Sequence, residues 1–230
     1  MKTIGLIGGT SWISTLDYYR CINQMVHQTL GKSHSAKIIL NSIDFEEYVN
    51  LSLAEDWDEV ALKFIHEINK LEKAGADCVL LGANTTHIVA DTILPHLHIP
   101  LIHIVEATSQ AIKSTNHSKV GLLGTRFTME KAFYRDKMAS NSIDLVIPNE
   151  EDRAFIHKSI FDELGKGVFL PATKERYLQI FDDLVSRGAE GIIYACTEIP
   201  LLIKDEECPV KAYNTNEIHS RAAVEFALRD

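Results

Sequence analysis

The 230-residue sequence predicts an α/β fold of two similar α/β/α lobes, each built on a parallel sheet. Three observations carry this. Apolar runs of strand length alternate with stretches of helical period along the whole chain. The runs are continuous and rich in Ile, Leu and Val, as in parallel strands covered by helices on both faces. The second half also repeats the first at an offset on the order of 115 residues, as an internal duplication would.

Each element follows in order. "TIGLIGG" reads as a strand ending in glycines, and "TLDYYRCINQMVHQTL" as a helix stopped by Gly31. "AKIILNSIDF" is a strand, and "WDEVALKFIHEINKLEKAG" an amphipathic helix closed by Gly75. "ADCVLLGANTTH" is a third strand running into a polar loop, and "IPLIHIVEAT" a fourth. "TIGLIGGTS" then recurs as "KVGLLGTRF", and "AGADCVLLGANT" as "RGAEGIIYACTE". This register pairs Gly8 with Gly124, Ala83 with Cys196 and Asn84 with Thr197. The polar stretch "KSTNHSK" (113–119) suits a crossover between lobes, and the chain ends in a short strand, a polar loop and a helix. Residues 1–113 with 210–230 are expected to form the first lobe and 114–209 the second, with the active site in the cleft between them.

Bulk properties narrow the partners. A net charge of −9 argues against nucleic acid and anionic membrane, which demand a basic face. No stretch approaches the roughly 18 apolar residues of a membrane span. The opening apolar run meets a Gly-rich turn without a cleavage site, so it reads as a strand and not a signal peptide. A cytoplasmic location is expected. Four cysteines, Cys21, Cys78, Cys196 and Cys208, lack CxxC spacing, which argues against disulfides and a zinc site.

Ligands in open parallel sheets bind beyond the carboxyl ends of the strands. Four loops fall there: "GGTS", "GANTTH", "GTRFT" and "CTE". Their small hydroxyl residues and free N–H groups, opening onto helices, suit a carboxylate or phosphate. GxGxxG, GxxxxGK[ST] and HExxH are all missing. His96, His98 and His103 lie by a Pro-flanked turn into a strand, and no metal is assigned to them. Cys196 is the strongest chemical candidate, at the end of an apolar strand where a helix N-terminus would lower its pKa toward a reactive thiolate. The other three cysteines read as inert packing.

Four short pieces in order, "IGLIGGTSWISTLDYY", "NTTHIVAD", "VGLLGTRFTM" and "GIIYACTEI", give the chain its family likeness. It resembles the aspartate/glutamate racemase family of cofactor-independent amino-acid racemases over essentially its whole length. The resemblance implies lobes related by a pseudo-twofold axis, a homodimer, and no pyridoxal phosphate or metal. It implies that one thiolate takes the α-proton and a second thiol returns one from the opposite face. Cys196 matches the second catalytic cysteine. Asn84, Thr85 and Thr125 match positions holding the α-carboxylate, with Gly9, Thr10 and Ser11 nearby; Arg126 and Thr197 complete the expected substrate contacts.

The sequence departs from that pattern at Ala83, where many members carry cysteine and a similar branch threonine. A methyl group carries no exchangeable proton. Cys78 cannot replace it, lying about 16 Å back along the strand. Thr85, Thr86 and His87 are neighbours, and His87 is expected to order the following helix. Ala83 is either an engineered substitution or the mark of an enzyme that works asymmetrically. No arginine follows the second strand, where members acting on aspartate or glutamate often place one; Lys166 and Arg126 are the nearest cations by position. The sequence supports an isomerase acting on an acidic or other polar amino acid. Two alternatives stand beside it: a single-cysteine decarboxylase or isomerase like the arylmalonate decarboxylases, and a non-catalytic binder of amino acids or dicarboxylates.

Overall fold

The computed structural model describes residues 1–229, which divide into two compact units. The first is Met1–Ile104 with the chain from His219 onward, and the second is Val105–Ile218. Among the described residues, no helix is long and apolar enough to cross a membrane.

The first unit runs β1 (Ile4–Gly8), α1 (Trp12–Leu30), β2 (Ile38–Ser42), α2 (Phe45–Leu53), α3 (Trp57–Lys73), β3 (Cys78–Leu81) and a 3-10 turn leading to α4 (Ala90–Ile93). Its strands are parallel in the order β2-β1-β3, with Ile4 level with Ile38 on one side and Cys78 on the other. Every residue of β1 and β3 is buried, as their unbroken apolar runs require, while the edge strand β2 is only partly covered. Tyr48, Phe64 and Ile68 pack on one face of the sheet, and Tyr18, Ile22 and Val26 of α1 on the other.

The second unit runs α5 (Ile104–Lys113), β4 (Lys119–Gly124), α6 (Arg126–Glu130), α7 (Ala132–Ser140), β5 (Asp144–Val146), α8 (Glu150–Asp162), α9 (Pro171–Ser186), β6 (Gly191–Ala195), α10 (Ile199–Leu202) and β7 (Lys211–Asn214). The final helix, α11, spans Thr215–Leu228. The sheet is parallel in the order β5-β4-β6-β7, repeating the first unit with one full strand added. Tyr177, Phe181 and Leu184 of α9 pack against Ile192 and Tyr194 of β6.

Three expectations change. "IPLIHIVEAT" forms no strand: Leu101 makes a single parallel bridge to Val79, and the helix α5 begins at Ile104. The unit boundaries move from 113/114 and 209/210 to 104/105 and 218/219, because each last helix packs away from the strand that precedes it. Lys113 of α5 reaches Asn141 at 2.7 Å, whose amide reaches back to Glu106 at 3.3 Å. Likewise β7 is hydrogen-bonded to β6, while Ala223, Val224 and Ala227 of α11 join the core around Ile4 and Leu80. "KSTNHSK" therefore lies within the second unit, between α5 and β4, and is no crossover.

Candidate active site

The loops at the strand ends of the first unit are held by their own side chains. Ser11 caps α1 by accepting from Ser14 N at 3.3 Å, and the Gly9 N–H donates to Thr15 Oγ1 at 2.9 Å. Gly9 has φ +88°, and a Cβ there would collide with the Ile43 carbonyl and lie 2.7 Å from Ile43 N. The position thus demands glycine on both counts. Thr10 is buried, and its hydroxyl meets no partner among the described residues.

After β3, the chain turns at Gly82 and passes Ala83, Asn84 and Thr85. Asn84 is buried; Ala83 and Thr85 are half-buried. The Ala83 carbonyl accepts from Thr86 Oγ1 at 2.7 Å and from His87 Nδ1 at 2.9 Å. The other nitrogen of His87, Nε2, accepts from Ile104 N at 3.2 Å, capping the start of α5. His87 is therefore neutral and fully engaged, its pKa pushed well below the ordinary value by burial and then by His103 and His219. It braces the Ala83 loop against the backbone at Ile104, where the sequence assigned it to the helix that follows.

In the second unit, Thr125 caps α6 by accepting from Thr128 N at 3.3 Å. Arg126 is exposed, and its guanidinium is paired with Glu130 at 3.0 Å, which also binds Arg153 at 2.9 Å. Lys166 is exposed and lies 4.0 Å from Asp162. Neither cation is buried in a strand-end loop.

Cys196 follows β6 and is buried. Its Sγ–H donates to Glu198 Oε2 at 2.9 Å, and Thr197 Oγ1 donates to the same oxygen at 2.9 Å. Burial first, and then the charge and hydrogen bond of Glu198, push the thiol well above its ordinary value. The expected lowering is outweighed: α10 has four residues, and the backbone N–H groups of Thr197 and Glu198 pull the thiol down by less than burial and the Glu198 carboxylate push it up. Cys196 rests as a proton donor. Glu198 was not singled out from sequence, although its place two residues after a strand-end cysteine was visible. Cys78 is buried in β3 with its thiol pushed up to about 12 by burial, while Cys21 and Cys208 are half-buried. His98 pairs with Glu72 at 3.1 Å, and His103 packs on the ring of His87.

The sheet registers bear directly on Ala83 and Cys196. Ile7 is level with Leu81, so Gly8 is matched by Gly82; Gly124 is level with Ala195. With Gly8 and Gly124 as equivalents, the next residues along are Ala83 in one unit and Cys196 in the other. Two units of one architecture therefore place a methyl and a thiol at the same station. The model of the Asp/Glu/Hydantoin racemase family matches residues 7–223.

The chain belongs to that family. A candidate Asp/Glu racemase from Yersinia pestis has a crystal structure similar to this chain at a TM-score of 0.93, with 41% identity and 100% of both chains covered. An aspartate racemase homologue from Pyrococcus horikoshii OT3 is 34% identical with a TM-score of 0.88, again over 100% of both. The broad specificity amino-acid racemase RacX of Bacillus subtilis (strain 168) is 25% identical over 175 residues, 75% of this chain and 74% of that protein. A glutamate racemase from Francisella tularensis, 13% identical with a TM-score of 0.70 over 98% and 80% of the two chains, shares the fold. Family membership supports amino-acid racemase function in this chain.

Proposed function

We propose that the chain moves a proton at the α-carbon of a free amino acid through the thiol of Cys196, without a cofactor. Gly9, Thr10, Ser11, Asn84, Thr85 and Thr125 hold the α-carboxylate, with Arg126 and Thr197 beside them. Donors at the carboxylate stabilise the enediolate that forms when the α-proton leaves, commonly the largest catalytic contribution. The observation that carries the reading is the shared station of Ala83 and Cys196, one thiol where the repeat offers two places. One-sided proton exchange is then faster than full racemisation.

The side chain of the substrate is the open variable. The segment after β2 presents Asp44, Glu46 and Glu47, and Arg126 is tied to Glu130. RacX carries a broad-specificity name, so the test panel extends past aspartate and glutamate to neutral and basic amino acids. Incubation of each enantiomer in D₂O, followed by NMR of the α-proton, should show uptake that disappears in Cys196→Ala. Absence of uptake across the panel, or uptake unchanged in Cys196→Ala, overturns the reading.

Ala83 also favours a second reading, a decarboxylase that needs only one proton donor because loss of CO₂ generates the carbanion. Turnover of a disubstituted malonate to one enantiomer, with no exchange on amino acids, would select it.

A further inference from the structure

We propose that Glu198 positions the Cys196 thiol and takes up its proton, so that one cysteine alternates between donor and acceptor. This rests on the reading of Cys196 as the acid/base at the α-carbon. Both residues are buried, 8% and 4% exposed, and their contact is direct at 2.9 Å. Thr197 donates to the same oxygen and so fixes the carboxylate against the sulfur. Cys196 belongs to the buried core cluster that also holds Met129, Leu164 and Ile199. Tyr177 of α9 is the other titratable group that senses the cysteine; its hydroxyl is engaged with Ser159 at 2.9 Å, and Glu163 acts on it from beyond α8. The Glu198 carboxylate is the side-chain acceptor at the sulfur, and the backbone N–H groups of Thr197 and Glu198 also reach it.

The step balances within the pair and the substrate. The S–H bond of Cys196 breaks as an O–H bond forms on Glu198 Oε2, leaving a thiolate beside a neutral acid. The thiolate then takes the α-proton, and the electron pair of the C–H bond stays on the substrate as the enediolate. Running backward, the thiol returns a proton to carbon and Glu198 returns its own to sulfur. In D₂O the two acidic sites exchange with solvent, which delivers the label. A thiol at the station of Ala83 would otherwise share this work, and none is there.

The test uses the intact protein and Glu198→Gln, which keeps the shape and removes the charge and the proton acceptor. Two quantities should move in opposite directions. Alkylation of Cys196 by iodoacetamide, followed on its own peptide, should rise about tenfold at pH 8 as its profile shifts to lower pH. The α-proton exchange should fall about 100-fold, the scale of a lost acid/base. Glu198→Asp keeps a carboxylate, so it should hold the alkylation profile near that of the unaltered protein and recover part of the exchange. A merely structural role predicts that both quantities change together with the alkylation profile unshifted, and that result overturns the assignment. So does exchange in Glu198→Gln at the unaltered rate while Cys196→Ala has none, an outcome that leaves the reading of Cys196 standing. If no amino acid exchanges at all, the reading of Cys196 fails, and the alkylation profiles still decide whether Glu198 holds the thiol proton.

Discussion

Acidification should destabilise the first unit through His219, before its carboxylates matter. The His219 ring is fully buried; its Nε2–H donates to the Ile102 carbonyl at 2.6 Å and its Nδ1 accepts from Tyr18 OH at 2.8 Å. A second proton would displace the Tyr18 bond inside a dry site facing His87 and His103. Burial is the main cause that lowers its pKa from 6.5 to about 4, with His103 adding to it and the bond to Ile102 opposing. The folded group is thus neutral where the unfolded one is charged. Its contribution is complete above pH 6.5 and is lost as pH falls toward 4, because the unfolded chain binds the proton first. At 1.36 kcal/mol per factor of ten, the whole interval is worth about 3 kcal/mol, a large part of a domain's stability. His87, shifted in the same direction, steepens the loss. In the same unit Glu67, where burial is outweighed by hydrogen bonds from Lys70 and Asn41, is held below the usual carboxylate range and gives up its share only below about pH 4.5. Urea unfolding between pH 7.5 and 5 therefore isolates the histidines. His219→Gln, which can keep both hydrogen bonds without titrating, should flatten the curve by about 1 kcal/mol per pH unit below 6. A free energy constant from pH 7 to 5, or a slope unaltered in His219→Gln, would refute the reasoning.

Two further outcomes bear on the strand-end loops. Ala83→Cys should raise the ratio of racemisation to one-sided exchange at least about tenfold by adding the second acid/base, measured by chiral chromatography beside NMR; an unchanged ratio would separate position 83 from the chemistry. Gly9→Ala should cost about 2 kcal/mol or more, from a left-handed backbone and a collision with the Ile43 carbonyl. Its urea midpoint should fall, and the thermal shift given by the amino acid that exchanges best should fall with it, whereas an unaltered midpoint would refute the strain.

Much of this molecule was legible along the chain. Continuous apolar runs become fully buried parallel strands, since a strand covered on both faces has no polar side to show. The repeat offset paired Ala83 with Cys196, and the strand registers agree, because duplicated sheets keep their stations when the core spacing is kept. "IPLIHIVEAT" misled for a related reason: its apolar residues are needed by a buried bridge and a buried helix start, and periodicity cannot separate those from a strand.

By itself, then, the amino-acid order determined the α/β architecture, the duplicated loops and the pairing of Ala83 with Cys196, all consequences of local burial period and internal repetition. Only the tertiary structure decided which unit each last helix joins, that His87 braces the Ala83 loop, and that Cys196 rests protonated against Glu198. These depend on what stands within about 3 Å in a dry interior. His219 and Ile102 meet across 117 positions of chain, a proximity that no local pattern encodes. Even between near neighbours, as with Cys196 and Glu198, it is burial and rotamer that turn adjacency into a hydrogen bond and set where the proton lies.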